Sequence, residues 1–359
     1  MTSWIHVSTR RAGQGALVAA LTAMWMFAAV LSLGACAATP SESTREDAAG
    51  APALRAEAAR LFGAVVKVEA RAVPDARSNA TLGAEREGTG VVIGDDGLVL
   101  TIGYLVVEAE EVRIIDSRGG THSAKIVGYD HQTGLALLRP IDRVDIVPVA
   151  LGDSAGLDEK SPVMIVNYQG PADVTLAFVV SRRPFTGSWE YALDSAIFTA
   201  PPTSRWSGAG LFGSDGRLLG IGSLVVRDAL KGDASLPGNM FVPIDVLKPV
   251  LDDLVRAGRR TGPARPWLGI SADEVQGRLF VTRVSPEGPA AKAGVATGDI
   301  ILGVGRDGVR SQADFYRRIW AYGNAGMDIP LRVLHDLDIL DIKVRSIDRT
   351  EYFTPRTVH

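Results

Sequence analysis

The side chains able to do chemistry are few and widely spaced. Five histidines stand at positions 6, 122, 131, 335 and 359, none in an H-x-x-H or H-E-x-x-H spacing. A metal centre built on histidine is therefore not expected. Cysteine occurs once, as Cys36, which excludes a disulfide framework within the chain and any cysteine-rich zinc site. No cofactor or metal is indicated. Lys plus Arg number 38 and Asp plus Glu 41, for a formal charge of −3 and a pI near 6.0. Such a balance offers no electrostatic footprint for nucleic acid. At 359 residues, 46% hydrophobic and 22% charged, the chain can bury cores for two ordinary domains. Its 39 glycines favour a turn-rich, mainly β protein.

The lone cysteine ends a segment unlike the rest. Across residues 1–36 the only formal charges before Cys36 are Arg10 and Arg11, and Ala16 to Leu33 is an apolar run. A basic start, an apolar stretch and small residues behind it form a secretory signal. Its end, Leu33-Gly34-Ala35-Cys36, resembles the lipobox of bacterial lipoproteins, which implies a diacylglycerol on the Cys36 thiol and attachment to a membrane. Cleavage after a small-x-small triplet such as Ala35-Cys36-Ala37, or an uncleaved anchor, are the alternatives. Each places the protein in a bacterial envelope, as a periplasm-facing lipoprotein or a soluble periplasmic protein. Residues 37–55 lack apolar periodicity and read as a flexible tether.

From Leu61 onward, short apolar runs alternate with Gly, Asp and Pro. Leu61–Val68, Gly90–Ile93, Leu98–Thr101, Val112–Ile115 and Ala124–Val127 are expected strands. Asp95-Asp96-Gly97 and Ser214-Asp215-Gly216 each join two apolar runs and predict matching hairpins in two similar halves. Ile244–Ala257 predicts an amphipathic helix, with Val246, Leu247, Val250, Leu251 and Leu254 on one stripe. The polar stretch 258–266 is a linker. After it, 267–350 forms a second unit, with a helix around Asp314–Trp320 and strands near Leu331–Leu334 and Ile339–Val344. A tail, 351–359, closes the chain.

That second unit carries Ser285-Pro286, Gly288-Pro289-Ala290-Ala291-Lys292-Ala293-Gly294-Val295 and Gly298-Asp299-Ile300-Ile301. It resembles a PDZ domain of the type attached to bacterial envelope proteases. The resemblance implies a small α+β fold whose carboxylate-binding loop falls on Trp267, Leu268, Gly269 and Ile270. Consecutive N–H groups in such a loop form a nest for a peptide's C-terminal carboxylate, and the peptide adds as a strand to the sheet edge. Phe315 and Ile319, four apart on the helix, read as core.

The preceding region, 56–257, carries Gly88-Thr89-Gly90-Val91-Val92-Ile93, Asp96-Gly97-Leu98-Val99-Leu100-Thr101, Leu135-Ala136-Leu137-Leu138, Leu151-Gly152-Asp153-Ser154 and Phe241-Val242-Pro243-Ile244. It resembles the trypsin-like domain of HtrA-type serine proteases, a pair of six-stranded β-barrels. The triad is where this sequence departs. Tyr104 stands at the histidine position and Gly134 at the aspartate position. The Gly-Asn-Ser-Gly-Gly-Pro-Leu nucleophile motif reads Arg205-Trp206-Ser207-Gly208-Ala209-Gly210-Leu211. Only Ser207 of the triad is kept.

A serine hydroxyl needs a base near neutral pKa, oriented by a third group. Tyrosine, with an ordinary pKa near 10, offers a proton instead. Glycine orients nothing. Family members build the oxyanion hole from backbone N–H groups of the serine and the nearby glycine, and Arg205 replaces that glycine, burdening any strained φ there. His131 reads as a solvated loop residue and His122 as part of a hairpin. The expected function is binding: a catalytically impaired HtrA-like lipoprotein taking protein C-termini or β-edges as an adaptor, scaffold or regulator. The alternative is an active serine endopeptidase using Ser207 with a non-standard base. HtrA-type proteins are commonly trimers, but Arg55–Ala80 carries no aromatic beyond Phe62, which speaks against that assembly and leaves the oligomeric state open.

Overall fold

The structure, a computed structural model, describes residues 59–230 and 235–353. The leader with Cys36 and the 37–55 tether lie outside the described residues. Two closed six-stranded barrels come first. One consists of β1 (Val65–Ala72), β2 (Glu85–Val92), β3 (Val99–Ile102), β4 (Ala109–Ile115), β5 (Thr121–Asp130) and β6 (Leu135–Pro140), in the order β1-β2-β3-β6-β5-β4. The other consists of β7 (Pro162–Val166), β8 (Thr175–Gly187), β9 (Tyr191–Ala200), β10 (Gly210–Phe212), β11 (Leu218–Val226) and β12 (Gly238–Pro243), in the order β10-β11-β12-β9-β8-β7. Closure leaves neither barrel an open edge. The two Asp-Gly hairpins hold corresponding places: Gly97 at φ +76° joins β2 to β3, and Gly216 at φ +72° joins β10 to β11. In each, an aspartate side chain caps the turn, Asp96 accepting from Leu98 N and Asp215 from Arg217 N.

The expected helix over 244–257 is corrected. Two 3-10 turns, Ile244–Val246 and Lys248–Val250, precede an α-helix, α1 (Leu251–Ala257). Pro249 lacks the N–H that a continuous helix would need there. The apolar stripe still works, because Leu247, Val250 and Leu254 are buried against the first barrel's core.

Linker residues are laid down on the first barrel. Gly258 O accepts from Tyr129 N (3.1 Å), and Arg260 pairs with the buried Asp130 at 2.7 Å. Beyond them is a sheet of β13 (Ile270–Val275), β14 (Arg278–Val284), β15 (Ile300–Val304), β16 (Asp307–Gly308), β17 (Asp328–His335) and β18 (Asp338–Arg345). Its order is β13-β14-β15-β17-β18, with β16 on β15, so β13 is an edge. Helix α2 (Gln312–Ala321) is capped by Ser311 Oγ, which accepts from Asp314 N at 3.1 Å. It buries Phe315, Tyr316 and Ile319 in that unit's own core, and each full burial of this kind contributes about 1.5–3 kcal/mol. The first residues of the expected 351–359 tail are packed. Tyr352 lies 4.7 Å from Trp267 between ring centroids, donates to Pro286 O (2.9 Å), and offers its carbonyl to Arg77 of the first barrel.

Two motifs singled out in the sequence meet in space. Ser154 Oγ and Ala155 N both donate to Asp245 Oδ2, Ser154 at 2.7 Å and Ala155 at 2.6 Å. Burial opposes the Asp245 anion, but Lys248 and these two donors outweigh it and bring its pKa down to about 2. A depressed carboxylate stabilises the fold fully above the ordinary value near 3.8 and loses that contribution as pH falls towards 2. Asp245→Ala strands the buried Ser154 hydroxyl and is expected to cost about 1–3 kcal/mol. Denaturant titrations at pH 7 and pH 2.5 check this, with the difference from wild type shrinking at the lower pH.

Candidate functional site

Two places gather the residues that the sequence singled out. The first is a cleft of about 1160 Å³, whose walls include Tyr104, Gly134, Trp206, Ser207 and Tyr191. The three triad positions thus share one cleft. Tyr104 follows β3 in a 3-10 turn, Gly103–Leu105, and its hydroxyl donates to Ser223 O at 3.0 Å. Burial pushes the Tyr104 phenol up to about 12, against neighbouring Ser207 and Trp206, so it stays protonated and serves as a donor. Gly134 ends the turn into β6 at φ +75°, where a β-carbon would stand 3.4 Å from the Tyr191 ring. An aspartate there meets a strained backbone, with its β-carbon in van der Waals contact with the Tyr191 ring.

Ser207 sits in a turn held on every side by backbone. Its carbonyl accepts from Thr89 N (2.8 Å), Gly208 N donates to Gly222 O (2.9 Å), and Ala209 N donates to Trp206 O (3.0 Å). The Ser207 hydroxyl is itself buried and without a hydrogen-bond partner. The expectation of strain at Arg205 is corrected: Arg205 is not among the residues at positive φ. The chain has instead turned the Arg205 N–H to Thr203 Oγ1 (3.3 Å). The Arg205 side chain runs outward to Tyr168 Oη (2.9 Å) and Asp173 (3.3 Å). The Arg205 N–H is thereby engaged within its own turn.

His131 also differs from its expected solvated state. It is half-buried, with its Nδ1 shielded from solvent, tilted against Tyr129 at 4.1 Å and stacked on Phe353 at 5.5 Å. Burial, with Arg349 nearby, holds its pKa well below 6.5. Aromatic packing has drawn the ring inward. His122 is in the β4–β5 hairpin, opposite Ile114 and against Asp116 (3.1 Å). Among the described residues no group of three or more His, Cys, Asp or Glu is placed to hold a metal ion.

The second place is the loop Trp267-Leu268-Gly269-Ile270. Gly269 has φ +80°, which turns successive N–H groups towards one point, the geometry of an anion nest. They converge on a carboxylate belonging to the chain itself. Glu190 accepts from Leu268 N (3.0 Å to Oε2, 3.2 Å to Oε1) and from Ile270 N (2.8 Å), with Gly269 N contributing. Burial pushes the Glu190 carboxyl up to about 7, while the Ile270 and Leu268 N–H groups, Arg349 and the Gly269 N–H pull it back. Sequence reasoning named this loop but missed Glu190, which is 78 residues from Leu268. No local pattern marks a glutamate whose partner is set by docking of another unit.

Residues 88–221 match the family described as trypsin-like peptidase domain, and residues 266–345 match the PDZ domain family. The chain joins a trypsin-like peptidase domain to a PDZ domain. A probable periplasmic serine endoprotease, DegP-like, of Pseudomonas putida is 29% identical over 247 residues, covering 64% of this chain and 50% of that protein. The serine endoprotease DegS of Haemophilus influenzae is 29% identical over 258 residues, covering 67% of this chain and 71% of that one. The chain thus spans about half the length of the DegP-like relatives it matches. A solved structure of a serine-to-alanine variant of the HtrA-type protease AlgW with a tripeptide shares the fold at a TM-score of 0.51 and 20% identity, covering 84% of this chain and 97% of that one.

Gly208, at φ +74°, is the tightest point of the peptidase domain's serine turn, because a β-carbon would stand 2.0 Å from Thr89 O. Gly208→Ala must therefore displace backbone, and a loss of about 2 kcal/mol or more is expected in a denaturant titration.

Proposed function

We propose that the protein works in the bacterial envelope, lipid-anchored through Cys36, and captures free C-termini or exposed β-edges of other proteins through its PDZ domain. The barrel pair serves as a scaffold, and its serine centre does not run acyl transfer. One observation carries the binding half: the N–H groups of Leu268, Gly269 and Ile270 converge on a carboxylate. A terminal carboxylate presents the same two acceptor oxygens. The adaptor, scaffold or regulatory role follows from pairing this nest with a serine centre that has neither base nor complete oxyanion hole.

The chemical argument against hydrolysis runs through protons. Ser207 must lose one as it attacks, and its neighbour Tyr104 already donates its own to Ser223 O. His131, held neutral among aromatic rings, has its proton affinity lowered and lacks an orienting partner. The relatives named as endoproteases motivate the competing reading, an active enzyme with a non-standard base. Labelling of the folded protein with a fluorophosphonate probe decides between them. No labelling beyond that of Ser207→Ala is expected, and labelling abolished by that substitution would reverse the conclusion.

A second measurement separates a missing base from a dismantled site. Tyr104→His combined with Gly134→Asp is expected to leave hydrolysis of fluorescent casein at the Ser207→Ala level. The Arg205 N–H stays on Thr203 in that variant, and losing an oxyanion donor alone costs about 10²–10³ in rate. Ser207-dependent turnover by the double variant would show the oxyanion donors to be intact.

A further inference from the structure

The PDZ groove is already filled, by the turn between β8 and β9 of the second barrel. The loop, the start of the edge strand and the facing helix each have a partner from within the chain. In the loop, the Glu190 carboxylate takes the Leu268 and Ile270 N–H groups. Along the edge strand, Ala272 N donates to Ser188 O (3.2 Å), and Ala272 O accepts from the Gln312 side chain of α2. Across the groove, Tyr316 of α2 grips the same turn at both ends. Its hydroxyl donates to Gly187 O (2.9 Å) and accepts from Glu190 N (3.0 Å). Glu190 is 7% exposed and Tyr316 fully buried. Glu190 adopts φ +56° to make this fit, a conformation a non-glycine residue holds only when its surroundings over-determine it.

A turn that adds a backbone bond to the edge strand, places a carboxylate in the nest and touches the helix has the three contacts of a bound C-terminal peptide. We propose that the turn Gly187–Glu190 is an internal ligand of the PDZ domain, and that an external C-terminal carboxylate binds only when Glu190 leaves the loop. This rests on reading the groove as a receptor for C-termini. Being tethered, the turn acts at a high effective concentration. An outside peptide therefore meets a site reduced in affinity by the fraction of molecules in which the turn has withdrawn. Capture is thereby restricted to ligands presented at high local concentration, as on a crowded membrane surface, or to those that bind the open groove tightly.

The test uses the full-length protein, with Glu190→Gln, Glu190→Ala and Tyr316→Phe. Glutamine keeps the shape and removes the charge. The phenylalanine variant frees the turn without touching the loop. Probes are fluorescent decapeptides ending in a free valine, phenylalanine or glutamate, with C-terminally amidated copies as controls. Hydrogen exchange is followed at the Leu268 and Ile270 amides. The expected result is at least tenfold tighter binding of free-carboxylate peptides by the variants, no binding of the amidated copies, and faster exchange at both amides in Glu190→Ala. Equal affinity in wild type and all variants, or unchanged exchange in Glu190→Ala, overturns the internal ligand alone. If no form binds any free-carboxylate peptide while exchange at Leu268 and Ile270 accelerates, the C-terminus reading falls, and competition for the groove falls with it.

Discussion

A buried carboxylate between two domains organises this molecule. Glu190 leaves the second barrel and ends where the Leu268, Gly269 and Ile270 N–H groups meet. Buried N–H groups need acceptors, and a buried carboxylate needs donors. Each side meets the other's requirement, so neither can be withdrawn without leaving both unsatisfied or letting in water. Around that pairing the other domain contacts take their places. Tyr316 reaches back to the turn, Arg349 donates to Trp189 O (3.3 Å), and Tyr352 fills the space beside Trp267.

The same docking explains why so much of the chain between and after the domains is ordered. A linker rich in Arg, Gly and Pro is free to wander by composition, yet Arg260 is fixed on Asp130 and Ala264 O accepts from Ala325 N. The residues after β18 fold over the joint and place Phe353 on His131. His131 is half-buried between that Phe353 ring and its near neighbour Tyr129.

The serine turn shows a different economy of structure. Gly88, Gly208 and Gly222 remain where a β-carbon would collide with backbone at 2.8 Å or less, so the frame of a nucleophile turn survives. Around that frame, the Tyr104 phenol donates to Ser223 O, Gly134 stands at positive φ, and the Arg205 N–H donates to Thr203 Oγ1. Backbone shape and catalytic side chains are separable, because the first is imposed by close packing and the second only by what the site must do.

From the sequence alone, the fold class, the paired hairpins at Gly97 and Gly216, the PDZ strands and the core roles of Phe315 and Ile319 were legible. These features are written locally, in turn chemistry, alternation and short motifs, and local rules suffice to place them. The residue identities at 104, 134 and 205–206 were equally plain, while the roles given to them rest on the resemblance. Tertiary structure decided the rest: that Arg205 carries no strain, that Pro249 breaks the helix, that His131 is packed between aromatic rings, and that Glu190 fills the loop. Each of these depends on which distant surfaces come together. Partners 78 to 80 residues apart are chosen by how the second barrel and the C-terminal sheet pack, and no periodicity or spacing along the chain encodes that choice.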